Sequence, residues 1–141
     1  MDVFVALDKI DVNGERVSYP ICAYVDGGPI AFGWMRATLR ELYASKSTPA
    51  QPVQAFLREP KIPEGPVRLD IEIWPFTTLF HAGETLRLTI AGNDIHRWPA
   101  DILAPGHDLL NNTAQHIVHS GGESASFLRL PVVSKRGPDL D

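Results

Sequence analysis

The chain has 141 residues, of which 44% are hydrophobic and 21% are charged, and these proportions are typical of one globular domain. Its net charge of −4, with lysine and arginine scattered along the sequence, argues against the basic surface that binding to DNA, RNA or an anionic membrane requires. No run approaches the ~20 apolar residues of a membrane-spanning helix, and we expect neither a membrane span nor a secretory signal.

Cysteine usage restricts the chemistry further. Cys22 is the only cysteine, so an intrachain disulfide and a cysteine-based metal site are both excluded. Its neighbours, Ile21 and Ala23, are apolar, which favours a buried thiol that packs as a small hydrophobe. A single thiol fits a reducing compartment, so we expect a cytoplasmic protein. We also expect that the domain needs no cofactor.

The first predicted strand begins almost at the first residue. Val3, Val5 and Leu7 recur with a period of two. Domains usually open with a few untethered residues, so we expect this chain to be cut from a longer protein.

A hairpin is predicted at Asn13-Gly14. This dipeptide is the strongest short hairpin signal, because both central residues of a type I′ turn need a positive φ. It predicts that residues 3–7 pair with a strand near residues 17–23.

Period-two alternation recurs along the rest of the chain, and no segment of about 12 residues or more sustains a 3.6-residue period. Strands with one apolar and one polar face are typical of antiparallel sheets. The alternating segments are residues 32–41, 67–74, 85–92 and 126–133.

Frequent turn residues separate these strands, since the chain contains 12 prolines and 11 glycines. Residues 44–66 and 98–110 are predicted to be long excursions with little regular structure. About seven or eight short strands with long connections indicate an all-β jelly-roll β-sandwich with little helix. We expect one domain over residues 1–133, followed by a polar tail over residues 134–141.

Four segments in this order resemble the C-terminal domain of X-Pro dipeptidyl-peptidases and of the cocaine esterase-like (CocE/NonD) serine hydrolases. They are "GWMRATLREL" from Gly33, "EGPVRLDIEIWP" from Glu64, "LFHAGETLRLTIAGND" from Leu79 and "HIVHSGGESASFLRLPVV" from His116.

The resemblance, which spans nearly the whole chain, implies a galactose-binding-domain-like jelly roll. In that family the jelly roll packs against an α/β-hydrolase domain, which carries the Ser-His-Asp triad, and it helps to wall the substrate cleft. The resemblance therefore implies a non-catalytic accessory domain whose partner is that hydrolase domain, and a homodimer is the other assembly it allows.

The sequence offers no catalytic residue of its own. A hydrolase of this class needs a G-x-S-x-G elbow, and the chain has none. The nearest serine-glycine run, from Ser120 to Ser124, lacks that order and reads as a tight connection. We expect the chain alone to be inactive, so that substituting Ser124 or Ser126 removes no esterase or amidase turnover.

The five histidines give little support for a metal site. His116 and His119 are three residues apart, a spacing that places ligands on one face of a helix but on opposite faces of a strand. His81, His96 and His107 are predicted to lie in loops.

Calcium is a second metal alternative. Asp8, Asp11, Asn13 and Glu15 bring four oxygen-bearing side chains into eight residues, a spacing that only loosely resembles a calcium loop. A simple hairpin turn explains the same residues, and we favour it.

The tryptophans carry the main functional alternatives. Trp34 falls on the polar face of its predicted strand beside Arg36, and Trp74 is out of phase with its apolar neighbours. With Trp98 they form either a surface that docks on a missing domain or a platform on which sugars stack. We favour docking, since large aromatic residues and arginine are enriched in interfaces. A stand-alone carbohydrate-binding module and a purely structural assembly domain are the other readings.

Overall fold

The computed structural model describes residues 1–19, 27–55, 61–95 and 115–133. Within them the chain forms an antiparallel sheet and no α-helix, so the all-β prediction is confirmed, while the jelly-roll topology and the domain limits stay predictions. None of the described residues belongs to a helix long and apolar enough to cross a bilayer. The elements are β1 (Asp2–Ile10), β2 (Arg16–Val17), β3 (Ala31–Arg36) and β4 (Thr85–Ala91), with 3-10 helices at Ala37–Leu39 and Gly122–Ser124.

β1 is the central strand and is paired along both of its edges. β3 lies antiparallel on one edge, with Trp34 opposite Phe4, and β2 continues that edge. β4 lies antiparallel on the other edge, with Leu88 opposite Leu7. The position of each neighbouring strand is therefore set by its ladder to β1.

The two faces of β1 both contribute to the core. One face, which we call the core face, carries Val5 and Leu7 beside Met35 of β3, and Leu7 and Met35 are fully buried. The opposite face, which we call the Trp34 face, carries Phe4 and Asp8 of β1, both buried. The period of two is as predicted, but β1 has no solvent-exposed face.

The first turn differs from the predicted type I′ hairpin. No described residue other than glycine has a positive φ, so Asn13 does not adopt the left-handed conformation, whereas Gly14 has φ +85°. The Gly14 N–H donates to the Asp11 carbonyl (3.1 Å), and the Asp11 N–H donates to the Glu15 carbonyl (2.8 Å). This is a three-residue loop that ends in a left-handed glycine. It pairs β2 with Lys9–Ile10 instead of residues 3–7.

The turn before β4 is tied to β1 by a buried lysine. Gly83 provides the positive φ (+87°), and the His81 N–H donates to the Glu84 carboxylate at 2.6 Å. Lys9 Nζ lies 2.7 Å from Glu84 Oε2 and donates to the Leu79 carbonyl, also at 2.7 Å. The His81 hydrogen bond, followed by the Lys9 hydrogen bond, lowers the pKa of the Glu84 carboxyl.

Several predicted strands are shorter than expected or form no ladder. Residues 67–74 and 126–133 form no strand ladder. Pro75 follows the first segment and Pro131 lies within the second, and a proline has no N–H to donate to a ladder. β3 ends at Arg36, where a 3-10 helix begins. The described residues therefore contain four strands, fewer than the sequence predicted.

The long connections are confirmed only in part. The described residues between positions 44 and 66 contain isolated bridges, such as Thr48↔Gln51, and no strand or helix. Residues 98–110 lie outside the described residues, as does Cys22.

Leu7 and Leu88 test whether the core face stabilises the fold, because the two leucines are opposite each other but differ in burial. Leu7→Ala is expected to lower the free energy of unfolding by about 2–5 kcal/mol, since it leaves a cavity in a fully buried position. Leu88 is 40% exposed, so Leu88→Ala is expected to lower it by about 1 kcal/mol. Urea unfolding measures both, and equal losses would contradict this placement of the core.

Candidate functional site

Two of the three tryptophans named from the sequence line one groove on the Trp34 face. Trp34 stacks on Phe4 with ring centroids 6.3 Å apart, as their opposite positions in β3 and β1 require. Trp74 contacts Phe32 of β3, with centroids 4.6 Å apart. The backbone N–H of Trp74 donates to the backbone carbonyl of Phe32 at 3.0 Å, and this bond holds the segment around Trp74 beside β3.

Gly33 permits this close approach. A Cβ atom at Gly33 would collide with the backbone carbonyl of Glu72, so only glycine fits between the two segments. Gly33 therefore allows the segment from Glu72 to Trp74 to lie against β3, beside the Phe4–Trp34 pair.

The groove encloses about 160 Å³ and is mostly apolar. Trp34 is 39% exposed and Trp74 is 58% exposed, although both are large apolar side chains. The rest of the lining comes from Phe4, Val5, Ala6, Pro29, Phe32, Gly33, Asp94 and Ile95. Such a surface can bind an apolar or aromatic group.

The other two predicted site residues are not part of this lining. The Arg36 guanidinium pairs with the buried Asp2 carboxylate at 2.9 Å, so it closes the end of the β1–β3 ladder. Trp98 lies outside the described residues, so its predicted role stays a prediction.

The serine-glycine run forms a tight connection. Gly121 and Gly122 have positive φ values of 84° and 57° and lead into the 3-10 helix that ends at Ser124. Ser126 Oγ donates to the His119 carbonyl at 2.7 Å. This segment has no strand-to-helix elbow, in agreement with the reading from sequence.

Two of the residues considered as calcium ligands, Asp8 and Asp11, make other contacts in the structure. The Asp11 carboxylate accepts the N–H groups of Asn13 and Glu15, each at 2.8 Å, and these bonds, chiefly the one from Glu15, lower the pKa of Asp11. Asp8 is buried against two arginines instead. Among the described residues, no three acidic, histidine or cysteine side chains form a group able to hold a metal ion. His116 packs its imidazole against Gly92.

Sequence reasoning missed the charged cluster on the Trp34 face, formed by Arg16, Asp8 and Arg87. Asp8 Oδ2 accepts a hydrogen bond from Arg87 at 3.1 Å, and Arg16 Nη1 lies 3.6 Å from Asp8 Oδ1. The alternation of "TLRLTIAG" indicates that Arg87 projects from one face of its strand. It does not say which residue of β1 lies opposite, so no local signal identifies the pair.

Comparison with known families identifies this fold. The family model of the X-Pro dipeptidyl-peptidase C-terminal non-catalytic domain matches residues 1–129. The chain belongs to this family. The resemblance predicted from the four sequence segments is therefore confirmed, and the domain is non-catalytic by family.

Solved structures agree with this assignment. Two crystal structures of a CocE/NonD family hydrolase from Staphylococcus aureus are similar to the domain, with 36% and 34% sequence identity and TM-scores of 0.65 and 0.61. Each match covers 71% of this chain and 18% of the hydrolase chain. The domain thus corresponds to a small part of that hydrolase. Comparison with curated proteins gives no match.

A substitution of Gly33 tests whether the close approach of the Glu72 backbone to β3 forms the groove. Gly33→Ala is expected to lower the free energy of unfolding by about 2 kcal/mol or more and to shift the tryptophan fluorescence, because the Glu72 carbonyl belongs to the backbone and cannot move aside cheaply. Gly65→Ala is the matched control, since a Cβ atom there meets nothing within 4 Å. A Gly33→Ala variant as stable as the control, with unchanged fluorescence, would contradict the described packing.

Proposed function

We propose that this domain packs against the α/β-hydrolase catalytic domain of a serine hydrolase through its Trp34 face, and that it helps to shape the substrate cleft. The family description supports the non-catalytic part of this proposal. The share of the Staphylococcus aureus hydrolase that the domain matches, 18%, leaves ample chain for a separate catalytic domain in a protein of that kind.

The observation that carries the proposal is the exposure of Trp34 and Trp74 around an apolar groove. Exposed apolar surface of this kind, when contiguous, marks a contact site in soluble proteins. Tryptophan is also enriched among the residues that dominate binding energy at protein interfaces. Docking would remove both indole rings from water while leaving their aromatic partners, the buried Phe4 and the partly exposed Phe32, in place.

The domain's contribution to catalysis is then one of shape. In keeping with the non-catalytic description of its family, it limits the volume of the cleft and excludes water from it. Both effects strengthen the electrostatic interactions of a triad carried by the catalytic domain.

The test is a binding measurement between this domain and the α/β-hydrolase region encoded in the same reading frame, produced separately. Isothermal titration is expected to give saturable binding that Trp74→Ala weakens by about 10-fold or more, as removal of a buried aromatic anchor does. Tyr43→Ala is the control, because Tyr43 is 40% exposed but does not line the groove.

Other outcomes of the same titrations would contradict the proposal. Failure to bind, or equal binding by the Trp74→Ala and wild-type domains, would exclude docking through this groove. Saturable binding of a sugar that is lost in Trp34→Ala and Trp74→Ala would favour a carbohydrate-binding module. A stable homo-oligomer that buries the two tryptophans would favour an assembly domain.

A further inference from the structure

The charged cluster of Arg16, Asp8 and Arg87 has more positive than negative charge. Asp8 is 3% exposed, and its Oδ2 atom accepts one hydrogen bond from Arg87. Arg16 Nη1 is 3.6 Å from the Oδ1 atom, which has no hydrogen-bond donor within the described part of the chain. Within the described part of the chain, two guanidinium groups thus share one carboxylate, which leaves a surplus of one positive charge among these three side chains.

Most of the donors in this cluster remain available. Each guanidinium has five N–H donors. Among the described residues, Arg87 Nη2 donates to Asp8 and Arg16 Nη2 donates to the Gly27 carbonyl. Both arginine side chains are about half exposed, so the remaining donors can reach a group that approaches from outside.

The surplus positive charge on the two guanidinium groups favours a carboxylate as the ligand. A carboxylate carries one negative charge and accepts two parallel N–H bonds from a guanidinium, which is the strongest geometry for such a pair. One carboxylate would therefore neutralise the cluster, whereas a phosphate dianion would exceed its charge. The buried Asp8 holds the two guanidinium groups near each other before binding, which reduces the entropy lost on association.

The position of the cluster on the Trp34 face indicates which molecule would provide the carboxylate. Asp8 lies on the same face of β1 as Phe4 and four residues along the strand, which corresponds to about 13 Å. A standard interface of about 800 Å² per partner spans that distance. One interface of standard size would therefore reach both the cluster and the tryptophan groove.

We propose that Arg16 and Arg87 bind an aspartate or glutamate side chain of the α/β-hydrolase domain. This inference rests on the proposed docking function. Since the chain has a net charge of −4, the domain as a whole repels an acidic group on the partner, whereas a local excess of arginine over carboxylate attracts it. The arginine pair would thus fix the orientation in which the tryptophan groove docks.

The test uses the same titration of the domain against its hydrolase region. The double variant Arg16→Gln with Arg87→Gln is expected to bind about 10-fold more weakly at low salt, and its affinity is expected to fall less steeply as salt is added. Arg68→Gln is the matched control, because Arg68 is exposed and is paired with Asp70 two residues away at 2.6 Å. The double variant Arg16→Lys with Arg87→Lys keeps both positive charges. It is expected to retain the salt dependence of binding but only part of the affinity.

The outcomes separate this inference from the docking proposal. If Trp74→Ala weakens binding while the glutamine variant keeps wild-type affinity and salt dependence, the carboxylate contact is overturned and docking stands. If no association occurs, both fail. If inorganic phosphate or acetate alone saturates the cluster at low concentration, seen as shifts of the arginine Nε–Hε signals by nuclear magnetic resonance, the cluster is a free-anion site and the assignment to the partner is overturned.

Discussion

The backbone ladder on both edges of β1 is the constraint on which the rest of the structure depends. It places Trp34 opposite Phe4, Leu88 opposite Leu7 and Arg87 opposite Asp8. A slip of one residue in either ladder would move every side chain of the slipped strand to the other face. The core, the aromatic groove and the charged cluster therefore share one determinant, which is the register of three strands around β1.

The buried Lys9 ammonium strengthens this arrangement at the end of β1 nearest the hairpin. A buried ammonium is costly unless it is paired and hydrogen-bonded, and here both the Glu84 carboxylate and the Leu79 carbonyl lie at 2.7 Å. Glu84 in turn accepts the His81 N–H. The stretch "LFHAGETLRLTIAG" thus contains the turn that binds Lys9 and the strand, β4, that pairs with β1.

Local patterns predicted those parts of the fold that depend on local chemistry. Period-two alternation predicted β1 and β4. The type I′ turn was wrong because the Asp11 carboxylate, a side-chain acceptor, stabilises a longer loop in which Asn13 needs no positive φ. Residues 67–74 alternate as a strand does, but alternation alone does not supply a ladder partner.

The candidate site was predictable where it depends on local alternation and not where it depends on strand register. The phase of Trp34 and Trp74 against their apolar neighbours indicated exposed rings, which the described structure contains. Arg36 was named beside Trp34, yet its partner Asp2 is 34 residues away in sequence. The cluster of Arg16, Asp8 and Arg87 joins three strands and depends on register, which one sequence does not encode in any short motif.

We propose that a catalytic domain covers the Trp34 face. Hydroxyl-radical footprinting of the domain, free and in complex with its α/β-hydrolase region, tests it most directly. Oxidation of Trp34 and Trp74 is expected to fall several-fold in the complex, while oxidation of Tyr43, which is as exposed as Trp34, is expected to be unchanged. Equal oxidation of both tryptophans in the free and bound domain would contradict it.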